Sequence, residues 1–414
     1  MKQLFKGLNA FEASEYVLFA LAAATLPWSW SLSLKMLFLL LLNTVIKCVR
    51  SRSCGNKRLG KAERITLIAM IVFPAVYALS VLWSDNRVEG WRNVTAKLTF
   101  AEFAIIALLS DTSYLKQKHI HSIMQLFTAS ILVRFVVRLG ITLFDFLFNN
   151  RPHDELLGFY FDPMHHSYMS MYVLLALSYC CYLLYKAMHW NQARYIAVVV
   201  AAVILCAYIV ILKSRAALLC LVLMVAAAWC VLVFVKRHYR QGIIILGLCV
   251  IGCVTAMVAM PSKQKRLTNS IISIASGHRD EDRFTITRAA LNITSLNMPW
   301  GVGAGDRIDE MDKQYTQMGA AAEKEHLFNP HNQYLDTLMT TGVLGLLVLV
   351  VMLAIPMTKA IKQRDWILTA MFFIVIFNAL FESIFERQMG IIFFCLMFCI
   401  LQNRQKGCII DTER

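Results

Sequence analysis

Runs of about twenty apolar residues, repeated along most of the chain, constrain this sequence more than any other feature. The runs, which short polar loops separate, are 12–28, 32–49, 65–83, 97–110, 122–148, 164–185, 195–212, 216–235, 242–260, 335–357, 366–384 and 389–402. A run of this length crosses the hydrocarbon core of a bilayer as an α-helix, and none shows the two-residue alternation of a barrel strand. With 58% hydrophobic and 16% charged residues, the 414-residue chain is also too apolar for a water-soluble protein. The sequence predicts an all-α polytopic membrane protein with about twelve transmembrane helices.

One polar insertion, residues 261–334, interrupts this series between the ninth and tenth runs. Because no internal repeat divides the rest, we expect one integral membrane domain (1–414) that carries a single large loop. Outside this loop, Lys and Arg are concentrated on the side of both termini, and no Cys lies in a loop on the other side. The positive-inside rule therefore predicts cytoplasmic termini and a periplasmic loop in a bacterial inner membrane. The net charge of +15 is spread over short loops without a basic, aromatic-rich stripe, so no nucleic-acid partner is predicted.

The insertion contains a stretch with helical periodicity. In RFTITRAALNITSL, which begins at Arg283, apolar residues recur with arginines between them, and this pattern predicts an amphipathic helix lying at the membrane surface. The next segment, PWGVGAGD, is rich in glycine and predicts a tight backbone turn. Within it, Trp300 could stack on a sugar ring or anchor the loop at the membrane interface.

A histidine marks the point where the loop meets the tenth run. In NPHNQYLD, Asn329 can cap a helix and Pro330 fits the first helical position, which predicts His331 in the first turn of the tenth span. An imidazole exchanges protons near neutral pH, as a general base must. Two interpretations stay open, a catalytic base and an interfacial histidine bonded to a loop carbonyl. Neither an HxxxH pattern nor an acidic triplet accompanies His331, so no metal and no cofactor is predicted.

At two other boundaries between an outward loop and a span, the sequence has polar residues that could take part in binding or catalysis. Ser214 can cap the eighth span, and Arg215 then begins this span after a turn of about three residues. Arg215 could be a snorkelling anchor or a ligand contact. His165 and His166 stand at the outward start of the sixth span, where they could be interfacial polar residues or a second acid or base.

Charged residues also occur inside the apolar runs. Arg134 and Arg138 lie one helical turn apart in the fifth run, where an arginine costs about 2.5 to 3.5 kcal/mol on insertion scales. Glu382 and Glu386 have the same spacing in the eleventh run, so buried ion pairs between the two sets are one interpretation. The other is that the arginines line a cavity for an anionic lipid headgroup.

Taken together, these segments resemble the O-antigen ligase and O-antigen polymerase superfamily, whose members are multi-span membrane glycosyltransferases. The matching motifs are SRAALL at a span start, TRAAL followed by PWGVGAGD, and HNQYLDTLMTTGVLG, with looser matches in LWSDNRVEGW and GFYFDPMHHSYMSMY. The resemblance implies a periplasm-facing enzyme that moves a glycan from undecaprenyl pyrophosphate to an acceptor hydroxyl. It implies that Arg215 and Arg288 contact the pyrophosphate and that His331 deprotonates the acceptor. The further candidate substrate contacts are Arg138, Trp300 and Asn332.

Three functions are consistent with these residues. An O-antigen ligase would join the glycan to lipid A-core with inversion at C1, because base and leaving-group stabilisers act on opposite sides of that carbon. A polymerase would add repeat units to a lipid-linked glycan. A transporter or flippase of lipid-linked oligosaccharides would also use intramembrane Arg and Glu, but it does not need a long loop bearing Arg and His. The ligase is favoured because an anionic lipid acceptor suits the basic residues of the loop, which are Lys263, Lys265, Arg266, Arg279, Arg283 and Lys324.

Overall fold

The computed structural model of the chain is helical throughout the residues that it describes, which are 2–51, 55, 59–110, 112–149, 161–186, 191–230, 281–320, 325 and 329–403. The helices are α1 (Lys2–Phe5), α2 (Ala10–Thr25), α3 (Trp30–Ser51), α4 (Lys61–Ser80), α5 (Arg87–Leu109), α6 (Gln117–Phe148), α7 (His166–Lys186), α8 (Gln192–Ile211), α9 (Arg215–Cys230), α10 (Glu281–Leu296), α11 (Arg307–Met318), α12 (Gln333–Lys362), α13 (Trp366–Asn378) and α14 (Gln388–Leu401). Short 3₁₀ turns cover Val81–Trp83, Thr112–Tyr114 and Ile384–Glu386. No strand occurs among the described residues, so the all-α prediction is confirmed for them.

Five segments are long and apolar enough to cross a membrane, and they identify a multi-pass membrane protein. They are Trp30–Arg50, Lys61–Trp83, His166–Lys186, Gln192–Ile211 and Gln333–Lys362. Three shorter apolar helices accompany them, Arg215–Ala227, Trp366–Asn378 and Gln388–Leu401. Every predicted apolar run overlaps a described helix except 242–260, which lies outside the described residues, as do residues 231–235 of the run 216–235. The number of twelve spans stays a prediction.

Asparagine and aspartate side chains begin many of these helices. Asn9, Asn86, Asn191 and Asp365 each accept a hydrogen bond from a backbone N–H in the first turn of the helix that follows. The first amides of a helix have no partner within the helix, and a short polar side chain is the group that satisfies them. The sequence therefore sets these helix starts locally.

Helix α14 occupies the centre of the bundle. Each residue from Gly390 to Leu401 is buried, because α5, α7, α13 and α3 pack around it. The helix is apolar on all faces, and such a helix is stable only when neighbours cover it completely. The last apolar run of the sequence is thus the core of the fold and makes little contact with lipid.

A backbone break divides α12 at Gly342, which has φ 68° and ψ −160°. This conformation is essentially restricted to glycine. After the break, residues 343–362 form a helix about 30 Å long, which is enough to cross a bilayer by itself. Residues 333–341 therefore form a separate short helix ahead of the membrane-crossing part.

The glycine-rich segment 299–305 fills the break in α12. Val343 N donates to Pro299 O at 2.9 Å, and Gly303 N donates to Thr340 O at 2.8 Å, so the segment satisfies backbone groups that the break leaves unpaired. A Cβ on Gly342 would lie 1.9 Å from Pro299 O, which shows how close the two chains are. The predicted tight turn in PWGVGAGD is confirmed.

The same segment is bound on its other side by the end of α4. Ala304 N donates to Ser80 Oγ at 3.0 Å and Gly305 N to Ser84 Oγ at 3.1 Å. The carboxylate of Asp306 accepts from the backbone N–H groups of Asp85 and Asn86, each at 2.8 Å. The motifs LWSDNRVEGW, PWGVGAGD and HNQYLDTLMTTGVLG, which are far apart in sequence, thus form one contiguous unit.

Helix α10 is amphipathic as predicted, but its buried face packs on the protein itself. The buried residues are Ile286, Ala289, Ala290 and Ile293, which contact Met339 of α12 and the apolar face of α11. Phe284, Leu291 and Leu296 remain exposed on the rest of the helix surface. The membrane-surface position of the helix stays a prediction, because only this second set could contact lipid.

Candidate active site

His331 lies ahead of α12, and the prediction that it sits in the first turn of the span is wrong. The N-cap is Asn332, whose Oδ1 accepts from Tyr334 N and Leu335 N at 3.0 Å each. Asn329 instead accepts from the backbone N–H of His331 at 3.0 Å, in a local turn. His331 has a φ of 45°, which a helical residue does not adopt. Left-handed backbone at a residue other than glycine costs on the order of 1 to 3 kcal/mol and occurs mainly at functional sites.

The imidazole of His331 is hydrogen-bonded to a carboxylate. Its Nδ1 lies 3.1 Å from Glu382 Oε1, and the two side chains are 27% and 11% exposed. Glu382 lies in the connection between α13 and α14, where Ser167 Oγ also reaches its Oε2 at 3.5 Å. The eleventh run was predicted to continue as a helix to residue 384, but α13 ends at Asn378, so this carboxylate projects from a loop.

The charge state of Glu382 fixes the direction of this hydrogen bond. Burial acts to raise the pKa of the Glu382 carboxyl, but the hydrogen bond and charge of His331 and the charge of His165 outweigh it and hold this pKa below its usual range. An ionised carboxylate can only accept, so Nδ1 of His331 carries the hydrogen. In the neutral ring, Nε2 is then the nitrogen that can accept a proton.

Two further histidines lie beside this pair. The rings of His165 and His166 stack with centroids 4.5 Å apart, and Nδ1 of His165 is buried without a hydrogen-bond partner among the described residues. Burial, more than any nearby charge, lowers the pKa of His165, which immediately precedes α7, to about 4. Both histidines lie within electrostatic range of Glu382 and His331. Among the described residues, no group of three or more His, Cys, Asp or Glu side chains is arranged to hold a metal ion.

Arg134 and Arg138 support the turn that precedes this histidine pair. The guanidinium of Arg134 makes a two-pronged contact with Asp162, whose Oδ1 also accepts from Met164 N at 2.9 Å. Arg138 Nε donates to the carbonyl of Phe161 at 2.5 Å. The interpretation that these arginines form ion pairs with the two glutamates is therefore wrong. The physical reason is that Asp162, from the turn ahead of α7, neutralises Arg134.

Glu386 instead belongs to a buried network that the sequence did not reveal. Its carboxylate accepts from Lys97 Nζ at 2.9 Å and from Arg307 Nη2 at 2.8 Å, and Arg307 Nη1 contacts Asp336 Oδ1 at 2.9 Å. The ring of Tyr77 lies 4.4 Å below Lys97 Nζ. The four charges sum to zero, and each side chain is at most 11% exposed.

The charges of this network act on one another strongly. Burial acts to raise the pKa of the Glu386 carboxyl, but Arg307 and Lys97 outweigh it and hold that pKa well below its usual range. Burial likewise acts to lower the pKa of Arg307, and the carboxylates of Asp336 and Glu386 raise it instead. Both groups therefore keep their charge, as a buried pair must if it is to stay bound. Lys97 and Asp336 each lie within an apolar run, which is the sequence signal that could have identified the network.

The other candidate residues lie at separate places around these two groups. Arg215 is exposed at the start of α9, where the predicted cap is confirmed because Ser214 Oγ accepts from Ala217 N at 3.3 Å. Arg288 is on the exposed face of α10. Trp300 is 66% exposed, and its ring meets that of Trp83 edge to face, with centroids 6.5 Å apart. The contacts described above link neither Arg215 nor Arg288 to His331, and the predicted substrate roles stay predictions.

The arrangement around His331 can carry out one kind of chemistry well. A carboxylate orients the ring and would stabilise the imidazolium, while Nε2 can take a proton from a hydroxyl group placed within hydrogen-bond distance. The nearby network of Lys97, Arg307, Asp336 and Glu386 has no net charge and its members are paired with one another, so its role is to hold the surrounding structure rigid. His331 was identified as a candidate base from the sequence, whereas Glu382 was considered there as a partner of the arginines in α6.

Comparison with known proteins agrees with this reading of the motifs. Residues 200–350 match the family model described as O-antigen ligase. Among curated proteins, none matches the chain significantly. The matched segment runs from α8 to the membrane-crossing part of α12, and it contains Arg215, Arg288, Trp300, His331 and Asn332. Over this segment, the chain is similar to the O-antigen ligase family.

Proposed function

We propose that this protein is an O-antigen ligase of the bacterial inner membrane, whose active site faces the periplasm in the loop 261–334. It would transfer a glycan from undecaprenyl pyrophosphate to a hydroxyl group of lipid A-core. The observation that carries this proposal is the hydrogen bond between His331 Nδ1 and Glu382 Oε1 at 3.1 Å, in which His331 belongs to the segment that matches the family and Glu382 lies beyond it. It supports a base that acts on an acceptor hydroxyl.

The reaction follows from the roles of these groups. Nε2 of His331 takes the proton of the acceptor hydroxyl while its oxygen attacks C1 of the donor sugar. The bond between C1 and the diphosphate oxygen breaks, and its electron pair leaves with the diphosphate. Glu382 stabilises the imidazolium that forms, as the carboxylate does in other histidine-based sites. Attack opposite the leaving group inverts the configuration at C1.

Stabilisation of the leaving diphosphate is assigned to Arg215 and Arg288. A guanidinium presents two parallel N–H groups that fit a phosphate, and both side chains are exposed, that of Arg215 at the start of α9 and that of Arg288 on α10. The donor carries its own activated leaving group, so the protein need only position the substrates, accept one proton and stabilise the diphosphate. No cofactor and no metal is required by this scheme.

The structure weakens the transporter alternative. That alternative would use intramembrane Arg and Glu, for which Arg134 and Arg138 are candidates. Arg134 instead holds Asp162, and Arg138 holds the carbonyl of Phe161, so both have a local structural role. The polymerase alternative remains, because both reactions need the same base and the same diphosphate contacts.

The test of the proposed base is His331→Ala, expressed in cells that lack the native protein. A lost general base removes about 10² to 10⁴ in rate, so we expect the cells to lose polymer-capped core lipid at a matched level of inserted protein. Tyr334→Phe is the matched control, because it removes one polar atom three residues away and leaves the imidazole in place. Near-normal surface glycan in the His331→Ala cells would contradict the proposal.

A gene deletion separates ligase from polymerase. For a ligase we expect undecaprenyl-linked polymer to accumulate with its chain-length distribution intact, while the core lipid stays uncapped. Core lipid capped with a single repeat unit would identify the polymerase instead.

A further inference from the structure

Two arginines flank the stacked pair His165 and His166. The first is Arg387, the N-cap residue of α14. The start of α14 packs on the first turns of α7, since Tyr172 OH donates to Met389 O at 2.8 Å. The ring of His165 lies 5.5 Å from that of Tyr168, so these contacts bring the start of α14 close to the histidine pair. The side chain of Arg387 is exposed.

The second arginine, Arg283, approaches from α10. It lies in the first turn of that helix, which packs on α12 through Ile286, and its side chain is exposed. Arg283 acts electrostatically on His166, as Arg387 does on His165. Within the described part of the chain, neither guanidinium forms an ion pair, in contrast to Arg134 and Arg307.

Among the described residues, Glu382 is the carboxylate that acts on both histidines of the pair, and its hydrogen bonds go to His331 and Ser167. The two arginines therefore have no carboxylate partner in this group. The low pKa of His165 leaves this ring neutral at physiological pH, and its nitrogens can form hydrogen bonds. Unpaired arginines next to neutral hydrogen-bonding groups are the usual composition of a site for a phosphate group.

We propose that Arg283 and Arg387, together with the His165–His166 pair, bind a phosphate ester carried by the acceptor, close to the hydroxyl that His331 deprotonates. This inference rests on the proposed function. Direct attack places the acceptor and the leaving diphosphate on opposite sides of C1. Groups that surround His331 therefore face the acceptor, and a phosphate bound among them belongs to that substrate. The acceptor would then be an anionic, phosphorylated glycolipid and not a neutral glycan.

The test compares Arg283→Gln and Arg387→Gln with wild type in full-length protein reconstituted in nanodiscs. The control is Arg92→Gln, another arginine with an 83% exposed side chain, which pairs with Glu89 one helical turn away. The acceptor is lipid extracted from cells that lack the protein, and the initial transfer rate is measured against donor and acceptor separately. We expect the acceptor KM to rise about tenfold or more in each variant, which corresponds to the loss of one charge-assisted hydrogen bond. The donor KM and kcat should stay within about twofold.

Inorganic phosphate serves as the probe that distinguishes the two possible sources of the group. We expect it to inhibit wild type competitively against the acceptor, and to inhibit both variants about tenfold more weakly. Competition against the donor, or a raised donor KM in the variants, would overturn the proposal by assigning these arginines to the leaving diphosphate. Unchanged acceptor KM and unchanged inhibition in both variants would also overturn it.

A second readout does not depend on transfer. Inorganic phosphate should raise the thermal unfolding temperature of wild type and of Arg92→Gln, and this shift should be lost in Arg283→Gln and Arg387→Gln. If the phosphate-dependent shift follows this pattern while His331→Ala keeps full transfer activity, the anion site stands and the proposed base fails. If His331→Ala is inactive but phosphate produces no shift that the two arginines control, the proposed function stands and the anion site fails.

Discussion

Two glutamates, four residues apart in one connection, serve two regions of opposite character. Glu382 faces His331, whose side chain is 27% exposed and whose backbone is strained. Glu386 faces Lys97 and Arg307 in a network with side chains at most 11% exposed and no net charge. One short loop therefore supplies both a reactive, solvent-accessible pair and a buried, fully paired one.

The difference teaches what each region can be used for. A buried network in which every charge is paired resists change, because removal of one member leaves its partner without compensation in a medium of low polarity. A half-exposed imidazole with a carboxylate on one nitrogen can change its protonation state at much lower cost, since water and substrate reach it. The network holds the 379–387 connection in place, and the connection presents Glu382 to His331.

The largest effect is expected from breaking the network at its centre. Arg307→Ala removes the partner of both Glu386 and Asp336, and it should lower the free energy of unfolding by about 3 to 5 kcal/mol. The measurement is thermal or denaturant unfolding of the protein in detergent. Arg92→Ala, at an exposed arginine in α5, is the control and should change this free energy by about 0.5 kcal/mol or less. Equal stability of the two variants would show that the network does not hold the fold.

A second, smaller contrast lies between the two glutamates themselves. Glu386→Gln keeps the shape but removes a charge from Lys97 and Arg307, so we expect a loss of about 3 kcal/mol in unfolding free energy. At matched amounts of folded protein, its transfer rate should be close to that of wild type. Glu382→Gln should show the reverse, with stability changed by less than about 1 kcal/mol and a rate lowered roughly 10- to 100-fold. The comparison fails if the two variants lose stability and rate in the same proportion.

The smallest effect concerns Asn332, which lies between the two regions at the start of α12. Its side chain caps the helix that carries Asp336, so Asn332→Ala should lower the unfolding free energy by about 1 kcal/mol. Asn332→Asp keeps the capping oxygen and should keep the stability. A transfer rate that falls in both variants, at matched folded protein, would support the predicted substrate contact; a rate that follows stability would indicate a cap alone.

Much of this architecture could be predicted from the sequence, because the signals are local. Apolar runs of about twenty residues produce helices, and a short polar residue ahead of a run, such as Ser214, produces a cap. Glycines in PWGVGAGD produced the tight turn as predicted. The histidine at the end of the loop was also recognisable, since it joins a polar insertion to an apolar run.

Pairing between distant charges could not be predicted in the same way. The four-residue spacing of Arg134 with Arg138 and of Glu382 with Glu386 suggested that the two sets meet. Spacing within a helix does not encode which helix lies opposite, and α13 ends before Glu382. Asp162 became the partner of Arg134 because the turn ahead of α7 folds over α6. The start of the helix after His331 was also predicted three residues too early, at Asn329 instead of Asn332, since two nearby asparagines compete as caps and only the folded chain shows which one is used.

The most direct test of the account is a double-mutant cycle between His331 and Glu382, with transfer rates measured on purified, folded protein. If the carboxylate acts through the imidazole, its effect vanishes once the imidazole is gone. His331→Ala should then lose about 10² to 10⁴ in rate, and adding Glu382→Gln should lower the rate by no more than about twofold further. A double variant whose loss equals the product of the two single losses would show that His331 and Glu382 act independently, and it would contradict the proposed pair.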